Sequence, residues 1–168
     1  MFRLINNKLI DEVLEEARRS PKKRTTRVFH DSAKDSMQIM LNAMLPKTYA
    51  QPHKHEDPDK FETFSILSGR LIIVGFDEEG NLEGCFDLDK RGLNRGIVIS
   101  PRTYHSMVVP ENPGYAVVFE HKEGFYDPKT DKKFAPWAPS ESQTDEASEY
   151  LRQLEVKVEI YFDKLKRI

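Results

Sequence analysis

The chain has a single cysteine, Cys85, so no internal disulfide can form, and a reducing, cytoplasmic compartment is the expected address. Nowhere do 18 apolar residues run together, which excludes a membrane-spanning helix. The first residues, Met1-Phe2-Arg3-Leu4-Ile5-Asn6-Asn7, lack both the apolar core and the small-residue cleavage site of a secretory signal. An excess of positive charge is missing too. Lys and Arg total 26 against 28 Asp and Glu, a net charge of −2, which argues against a general nucleic-acid binder. No repeat or low-complexity segment interrupts the chain. What remains suits one soluble globular domain over residues 1–168, with 32% charged and 38% apolar residues.

The charge that is present is uneven. Arg18, Arg19, Lys22, Lys23, Arg24 and Arg27 crowd into one short stretch. On ordinary grounds such a run is a solvated linker. The sharper reading is a patch that draws a phosphorylated or otherwise anionic ligand.

Hydrophobic periodicity divides the chain into three parts. Leu9, Ile10, Val13, Leu14 and Ala17 recur at helical spacing after Asn6 or Asn7, predicting a helix near residues 7–19 that ends at Ser20-Pro21. From Met37 the period becomes two: Met37, Ile39, Leu41, Ala43 and Leu45 alternate with Gln38, Met40, Asn42 and Met44. Further strands are predicted at 49–55, 62–68, 70–76, 82–88, 96–99, 105–109 and 115–121, with Asp77-Glu78-Glu79-Gly80-Asn81 as a hairpin loop. Many short strands at close spacing predict an all-β barrel or sandwich with its core at about residues 37–121. A second helix near 143–166 is predicted from the stripe Ala147, Leu151, Leu154, Val158, Tyr161 and Leu165, suited to packing on the barrel or joining two subunits. Between barrel and helix, the proline-rich run Lys133-Phe134-Ala135-Pro136-Trp137-Ala138-Pro139 reads as an extended strap.

The chemistry concentrates in two segments. In Pro52-His53-Lys54-His55 the two imidazoles are two residues apart on a strand, on one face, with Cα atoms roughly 6.6 Å apart. That spacing lets both reach one ion at about 2.0–2.1 Å. Glu62 opens the next strand and is aimed back toward them; Glu56, Asp57 and Asp59 stand nearby as other carboxylates. The second segment, Gly96 to His105, brings a strand into a proline turn and ends on a third imidazole. Three neutral nitrogens and one carboxylate leave two positions open on an octahedral ion. The set favours one divalent transition metal (Fe, Mn, Ni, Co or Zn) over Ca or Mg, which prefer oxygen alone. An isolated histidine is more often structural, but three of the chain's five fall in these two contexts. His30 and His121 read as surface or hydrogen-bonding residues, and Cys85 as a buried apolar one. Asn42, Tyr49, Gln51, Arg102 and Tyr104 are the candidates for touching a substrate, with hydrogen bonding within the barrel as the alternative.

His53-x-His55, Glu62 and Gly69, followed by Gly96, Pro101 and His105, resemble the paired motifs of the cupin superfamily. The gap between His55 and Glu62 is longer than is usual there, and Arg102 replaces a small residue. Over roughly residues 5 to 141 the chain resembles one branch, the WbuC-like cupin-fold metalloproteins found in bacterial O-antigen gene clusters. The likeness includes Lys22-Lys23-Arg24, His30, Gln38 to Asn42-Ala43, Pro52 to His55, Phe76 to Gly80 and the strap; Glu120, Tyr126 and Lys133 also fit the pattern.

The resemblance implies a jelly-roll barrel, the double-stranded β-helix, bearing a metal at His53, His55, Glu62 and His105. It further implies a homodimer and a link to sugar-nucleotide or surface-polysaccharide metabolism. The functional expectation is a metal-binding cupin acting on a small polar metabolite, by isomerase, epimerase or oxygenase-type chemistry. A non-catalytic small-molecule-binding cupin is the alternative. A barrel merely stapled by its ion fits less well, because open metal positions invite a ligand. A metal-free epimerase has no need to gather three histidines. Neither nucleic acid nor membrane is an expected partner.

Overall fold

Helix α1 (Asn7–Arg19) opens the fold in a computed structural model that describes residues 2–166. Met1 and residues 167–168, the ends of the expected single domain, lie outside the described residues. The Asn6 side chain accepts a hydrogen bond from the Leu9 N–H, which satisfies one of the helix's free donors.

Nine strands follow among the described residues: β1 (Arg24–Val28), β2 (Met37–Met44), β3 (His53–Lys54), β4 (Glu62–Phe76), β5 (Leu82–Asp89), β6 (Gly96–Ile99), β7 (Tyr104–Val108), β8 (Ala116–Glu123) and β9 (Lys133–Phe134). Helix α2 (Thr144–Leu165) closes the chain. Every strand pairing is antiparallel, in the order β1-β2-β8-β4-β7-β3-β9, with β5 and β6 also paired to β4. The architecture is the antiparallel β barrel that the cupin resemblance implied, with an N-terminal helix and a long C-terminal one.

Strand β4 joins the two halves. Its first half pairs with β6 and β8, its second with β5 and β7. Two strands, 62–68 and 70–76, were expected here, on either side of Gly69. Instead Gly69 takes φ +75 and the ladder to β8 shifts between Ile66 and Ser68, so the strand bends from one sheet into the other without reversing. Any side chain at residue 69 would strike the Tyr115 carbonyl, 2.1 Å from the position of a Cβ.

The period-two pattern sorts residues between inside and outside. Phe64, Ile66, Leu71, Ile73, Met107 and Val118 fill the barrel. On β2 the strongly apolar alternate face turns outward: Leu41 and Ala43 pack under Val13, Leu14 and Ala17 of α1. The more polar face, Gln38, Met40, Asn42 and Met44, lines the interior cavity. On the opposite sheet, Ile72, Val74, Tyr104 and Val108 carry the α2 stripe of Leu151, Leu154 and Val158. Truncating one such buried leucine costs about 2–5 kcal/mol, so α2 belongs to the core of the fold.

The barrel is wider in sequence than the expected 37–121. The basic linker contributes β1, because Arg24–Val28 pairs in register with Val28 opposite Met40 and Arg24 opposite Met44. The strap contributes β9, paired to β3 through Phe134 opposite His53. The strand expected at 49–55 is reduced to His53–Lys54.

Candidate metal centre

Register explains how the site assembles. His53 on β3 lies directly opposite His105 on β7, so both inward imidazoles start as neighbours, with ring centroids 4.5 Å apart. His55 lies just beyond β3, and its ring is 5.2 Å from His53 and 5.8 Å from His105. Glu62 is the first residue of β4 and places Oε2 at 2.9 Å from His105 Nε2 and 3.4 Å from His55 Nε2. The four ligand atoms fall within 4.8 Å of one another, and all four residues are buried.

Each ring is oriented by its other nitrogen. His53 Nδ1 donates to the Gln51 carbonyl at 2.9 Å, His105 Nδ1 to the Thr103 carbonyl at 3.0 Å, and His55 Nδ1 to the Asp131 carbonyl. A carbonyl only accepts, so the proton sits on Nδ1 and the Nε2 lone pair faces inward. The three Nε2 atoms and Glu62 Oε2 are the buried side-chain polar atoms left without a hydrogen-bond partner among the described residues. A buried polar atom without a partner costs about 1–3 kcal/mol. Four of them weigh heavily against a total stability of about 5–15 kcal/mol. Two adjacent ligands of an octahedral ion at about 2.1 Å stand about 3.0 Å apart, which is the spacing of Glu62 and His105. The donor set and its geometry therefore fit a metal ion.

The electrostatics point the same way. Burial alone would raise the Glu62 carboxyl, but the close approach of the His105 and His55 rings outweighs it and holds Glu62 well below the usual carboxylate range. Burial, then the nearby charge of Lys132, keeps His53 well below the ordinary imidazole value. An ionised carboxylate beside a neutral imidazole is the state that a metal ion requires. Glu120 goes the opposite way. Burial first, and then repulsion from and hydrogen bonding with Glu62, push it well above the usual range. Asn42 Nδ2 donates to Glu120 Oε2.

Behind His55 lies a second buried cluster. Asp131 accepts from Lys60 at 2.8 Å and from Lys122 at 2.6 Å, while its own carbonyl holds His55. Burial would raise Asp131, but the ammonium groups of Lys122 and Lys60 outweigh it and hold the carboxyl below its usual value. Lys60, Lys122 and Asp131 were not recognised from the sequence. Lys122 was legible in principle: continuing the β8 alternation from Ala116 and Val118 puts Glu120 and Lys122 on the inner face. The partners of Lys122 lie in loops, where no periodicity operates.

A cavity of about 380 Å³ lies beside the centre; none of the four ligand residues lines it, but Lys122, opposite Glu62 in register, and Asp131, which holds His55, do. Asn42, Glu120, Lys122, Asp131 and Lys132 line it, together with His30, whose Nδ1 accepts from the Ile39 N–H at 3.1 Å. Of the five residues expected to touch a substrate, only Asn42 is there. Tyr49 lies outside, donating from its hydroxyl to the Pro139 carbonyl and packing against Tyr150 of α2. Gln51 acts through its carbonyl on His53. Tyr104 precedes an inward residue, so it faces outward, against Trp137. Arg102 is exposed and binds Asp57 and Asp59 at 3.0 Å. Those carboxylates are thereby occupied, and Glu56 is paired with Lys54 and Lys133, which leaves Glu62 as the carboxylate of the cluster. The basic stretch is also largely neutralised: Arg18 pairs with Glu15, Arg27 with Glu16, and Lys22 and Arg24 with Glu141.

Comparison with known proteins adds a family and a fold. Residues 5–88 match the family described as Domain of unknown function (DUF6016). No curated protein matches the chain. Among solved structures, the capsular polysaccharide assembling protein CapF of Staphylococcus aureus matches at TM-score 0.53 and 19% identity. That match covers 65% of this chain and 28% of CapF, so the chain spans well under a third of that relative. Protein SO0799 of Shewanella oneidensis matches at TM-score 0.51 and 12% identity, over 65% of this chain and 72% of that one. The Cnp3 cupin domain of Schizosaccharomyces pombe matches more loosely, at TM-score 0.46 and 13% identity, over 61% and 65%. At such identities the likeness is one of fold. No helix among the described residues is long and apolar enough to cross a membrane.

Proposed function

We propose that this chain, which belongs to the family described as Domain of unknown function (DUF6016), binds one divalent transition metal and acts on a small polar metabolite. One observation carries the reading: four buried atoms without hydrogen-bond partners among the described residues lie within 4.8 Å of one another, and no side chain or backbone group satisfies them from the inside. Fe, Mn, Ni, Co or Zn suits three imidazole nitrogens and one carboxylate oxygen. The bound ion would supply Lewis-acid polarisation of a carbonyl or hydroxyl, or oxygen chemistry if it is iron.

The chain's own residues complete the site. Backbone carbonyls fix the three rings, and the barrel wall excludes water around them. Glu120, its carboxyl pushed well above the usual range by burial, stands on the cavity wall, and Asn42 fixes its orientation. Isomerase or epimerase chemistry would use a carboxyl there to hold or move a proton. The name of CapF as a capsular polysaccharide assembling protein, with the resemblance to WbuC-like proteins, supports a place in surface-polysaccharide metabolism. We further read the chain as one cytoplasmic domain that forms a homodimer, with a small molecule as ligand and neither nucleic acid nor membrane as partner.

Metal analysis of protein purified without an affinity tag tests the centre. About one divalent ion per chain is expected from this site, and a His53→Ala, His55→Ala double variant should lose it. Full occupancy in the double variant refutes the site. Turnover of a ligand found by unbiased screening separates an enzyme from a binding protein.

A further inference from the structure

We propose that the ligand of this centre is a small anion, and that Lys132, just before the strap, reads its carboxylate or phosphate group at the end of the cavity nearest the metal centre. The inference rests on the metal-centre reading above and deepens it to a substrate class.

The argument begins with charges that line the cavity. Arg24 makes contacts of 2.7 Å with both oxygens of Glu141. Lys122 donates to Asp131 at 2.6 Å, and Asp131 already holds Lys60 as well. Lys132 lines the same cavity and forms no ion pair among the described residues. Lysine chains reach solvent easily, so exposure alone means little. The location of Lys132 means more. Asp131, on one side, is pinned between two buried ammonium groups; Lys133, on the other, sits in β9, in register with Lys54. The backbone at 132 is thus fixed at the rim. Its chain neighbour Asp131 holds the ligand His55 through its carbonyl, so Lys132 lines the cavity one residue away from a contact to the metal centre.

The opposite end offers no comparable cation. Arg24 is neutralised by Glu141, and Arg18, Lys22 and Arg27 have carboxylate partners of their own. Four of the six cations that the sequence offered as an anion patch are therefore spent on intramolecular pairs, and the other two, Arg19 and Lys23, do not line this cavity. With a divalent ion held by one carboxylate, the metal end carries positive charge beyond what Glu62 cancels, and Lys132 adds to it. A neutral ligand leaves that excess facing a low-dielectric cavity, whereas an anion compensates it.

Size narrows the class. About 380 Å³ lies near the lower end of the ligand-pocket range of about 300–1,000 Å³. It suits one sugar-sized molecule with a single acidic group better than a whole sugar nucleotide.

Calorimetric titration of the metal-loaded full chain with glucose, gluconate and glucose 6-phosphate tests this, with metal content measured on every sample. Gluconate or glucose 6-phosphate should bind more tightly than glucose, and less tightly as salt rises. Whichever of the two binds identifies carboxylate or phosphate as the recognised group. Lys132→Ala should weaken the anion by about 10-fold, a modest charge-assisted contact at a partly exposed rim. It should leave glucose and metal occupancy unchanged. Lys132→Arg should restore most of the affinity, and a Lys22→Ala, Lys23→Ala variant should match the wild type. Equal anion affinity in Lys132→Ala, preference for glucose, or binding of none of the three by metal-loaded protein overturns the proposal. Loss of metal from the wild type instead overturns the centre on which it rests, and the metal measurement tells the two failures apart.

Discussion

Two buried polar clusters share one wall of the barrel. Lys60, Asp131 and Lys122 make one; His53, His55, Glu62 and His105 make the other, and the Asp131 carbonyl on His55 joins them. Burial is alike: relative exposure is 2% for Lys60, Asp131, His53, His55 and His105, 3% for Glu62 and 4% for Lys122. Yet both Asp131 oxygens have donors, while four inward atoms of the other cluster have none. The chain can therefore satisfy buried ions with side chains where it needs to. Where it does not, and supports the unsatisfied atoms from behind with three carbonyls, the missing partner is a guest.

The comparison breaks or holds first on stability. Asp131→Leu removes the one carboxylate facing two buried ammonium groups and should cost about 3–5 kcal/mol in urea unfolding, since an uncompensated buried charge remains. His53→Ala in metal-free protein should cost much less, because it removes an imidazole whose inner nitrogen had no partner. Equal losses from the two substitutions would erase the distinction between the clusters.

Metal should reverse the order of the clusters' contributions. At about 100 times its dissociation constant, a ligand bound only by the native state adds about 2.7 kcal/mol, and thermal unfolding should rise by about 5–10 °C. Chelation should remove that gain, and His53→Ala should never show it. In the milder Asp131→Asn variant, metal affinity should fall about 10–100-fold if the cluster positions His55, as substitutions of outer-shell partners do. An unchanged affinity in a folded variant would separate the clusters functionally.

The parts legible in the sequence were those governed by periodicity. Leu9 to Ala17 marked α1, and Ala147 to Val158 marked α2, because each had one apolar face to bury. His53, His55, Glu62 and His105 were legible because strand parity and turn spacing place side chains without reference to the rest of the fold. Tyr49, Gln51 and Tyr104 were misplaced for the same reason in reverse. Parity relates residues within a strand, but the 49–52 segment is not in a strand, and only register shows that the His105 side is the inner one. The apolar face of β2 was visible, but not that α1 covers it and leaves the polar face to the cavity. Asp131 and Lys132 lie in the loop before the strap, positioned by contacts tens of residues away, and no local pattern marks them.

Acid should expose the same asymmetry more gently. The folded Asp131 carboxyl is held below its ordinary value, so its contribution to stability is present above the unfolded value of about 3.9 and is lost as pH falls through the lower folded value. Unfolding free energy of the metal-free protein should thus decline below about pH 4. Asp131→Leu should show a shallower decline, measured by urea titrations across pH 3–6. A parallel slope in the two proteins would mean that Asp131 does not contribute to it.

The smallest effect belongs to the far end of the cavity, at Arg24 and Glu141. One guanidinium nitrogen, Nη2, contacts both Glu141 oxygens at 2.7 Å, so the pair lacks the two-nitrogen fork of the strongest Arg–carboxylate pairs, and Lys22 adds a third contact at 3.2 Å. Both side chains remain partly solvated, at 26% and 33% exposure, so screening removes most of the Coulomb gain. Burial would raise the Glu141 carboxyl, but Arg24 and Lys22 outweigh it and hold it below its usual value, a shift that solvent again discounts. Glu141→Gln should therefore cost no more than about 1 kcal/mol in urea unfolding. Metal occupancy should be unchanged, because no ligand residue touches the pair. The substitution also frees Arg24 and Lys22, so it creates at this end the unpaired cations that Lys132 supplies at the other. If Lys132 reads the ligand, anion affinity should rise only slightly in Glu141→Gln and still fall about 10-fold when Lys132→Ala is added. If the double variant instead binds the anion as tightly as the wild type, the two ends of the cavity are equivalent and the contrast between them fails.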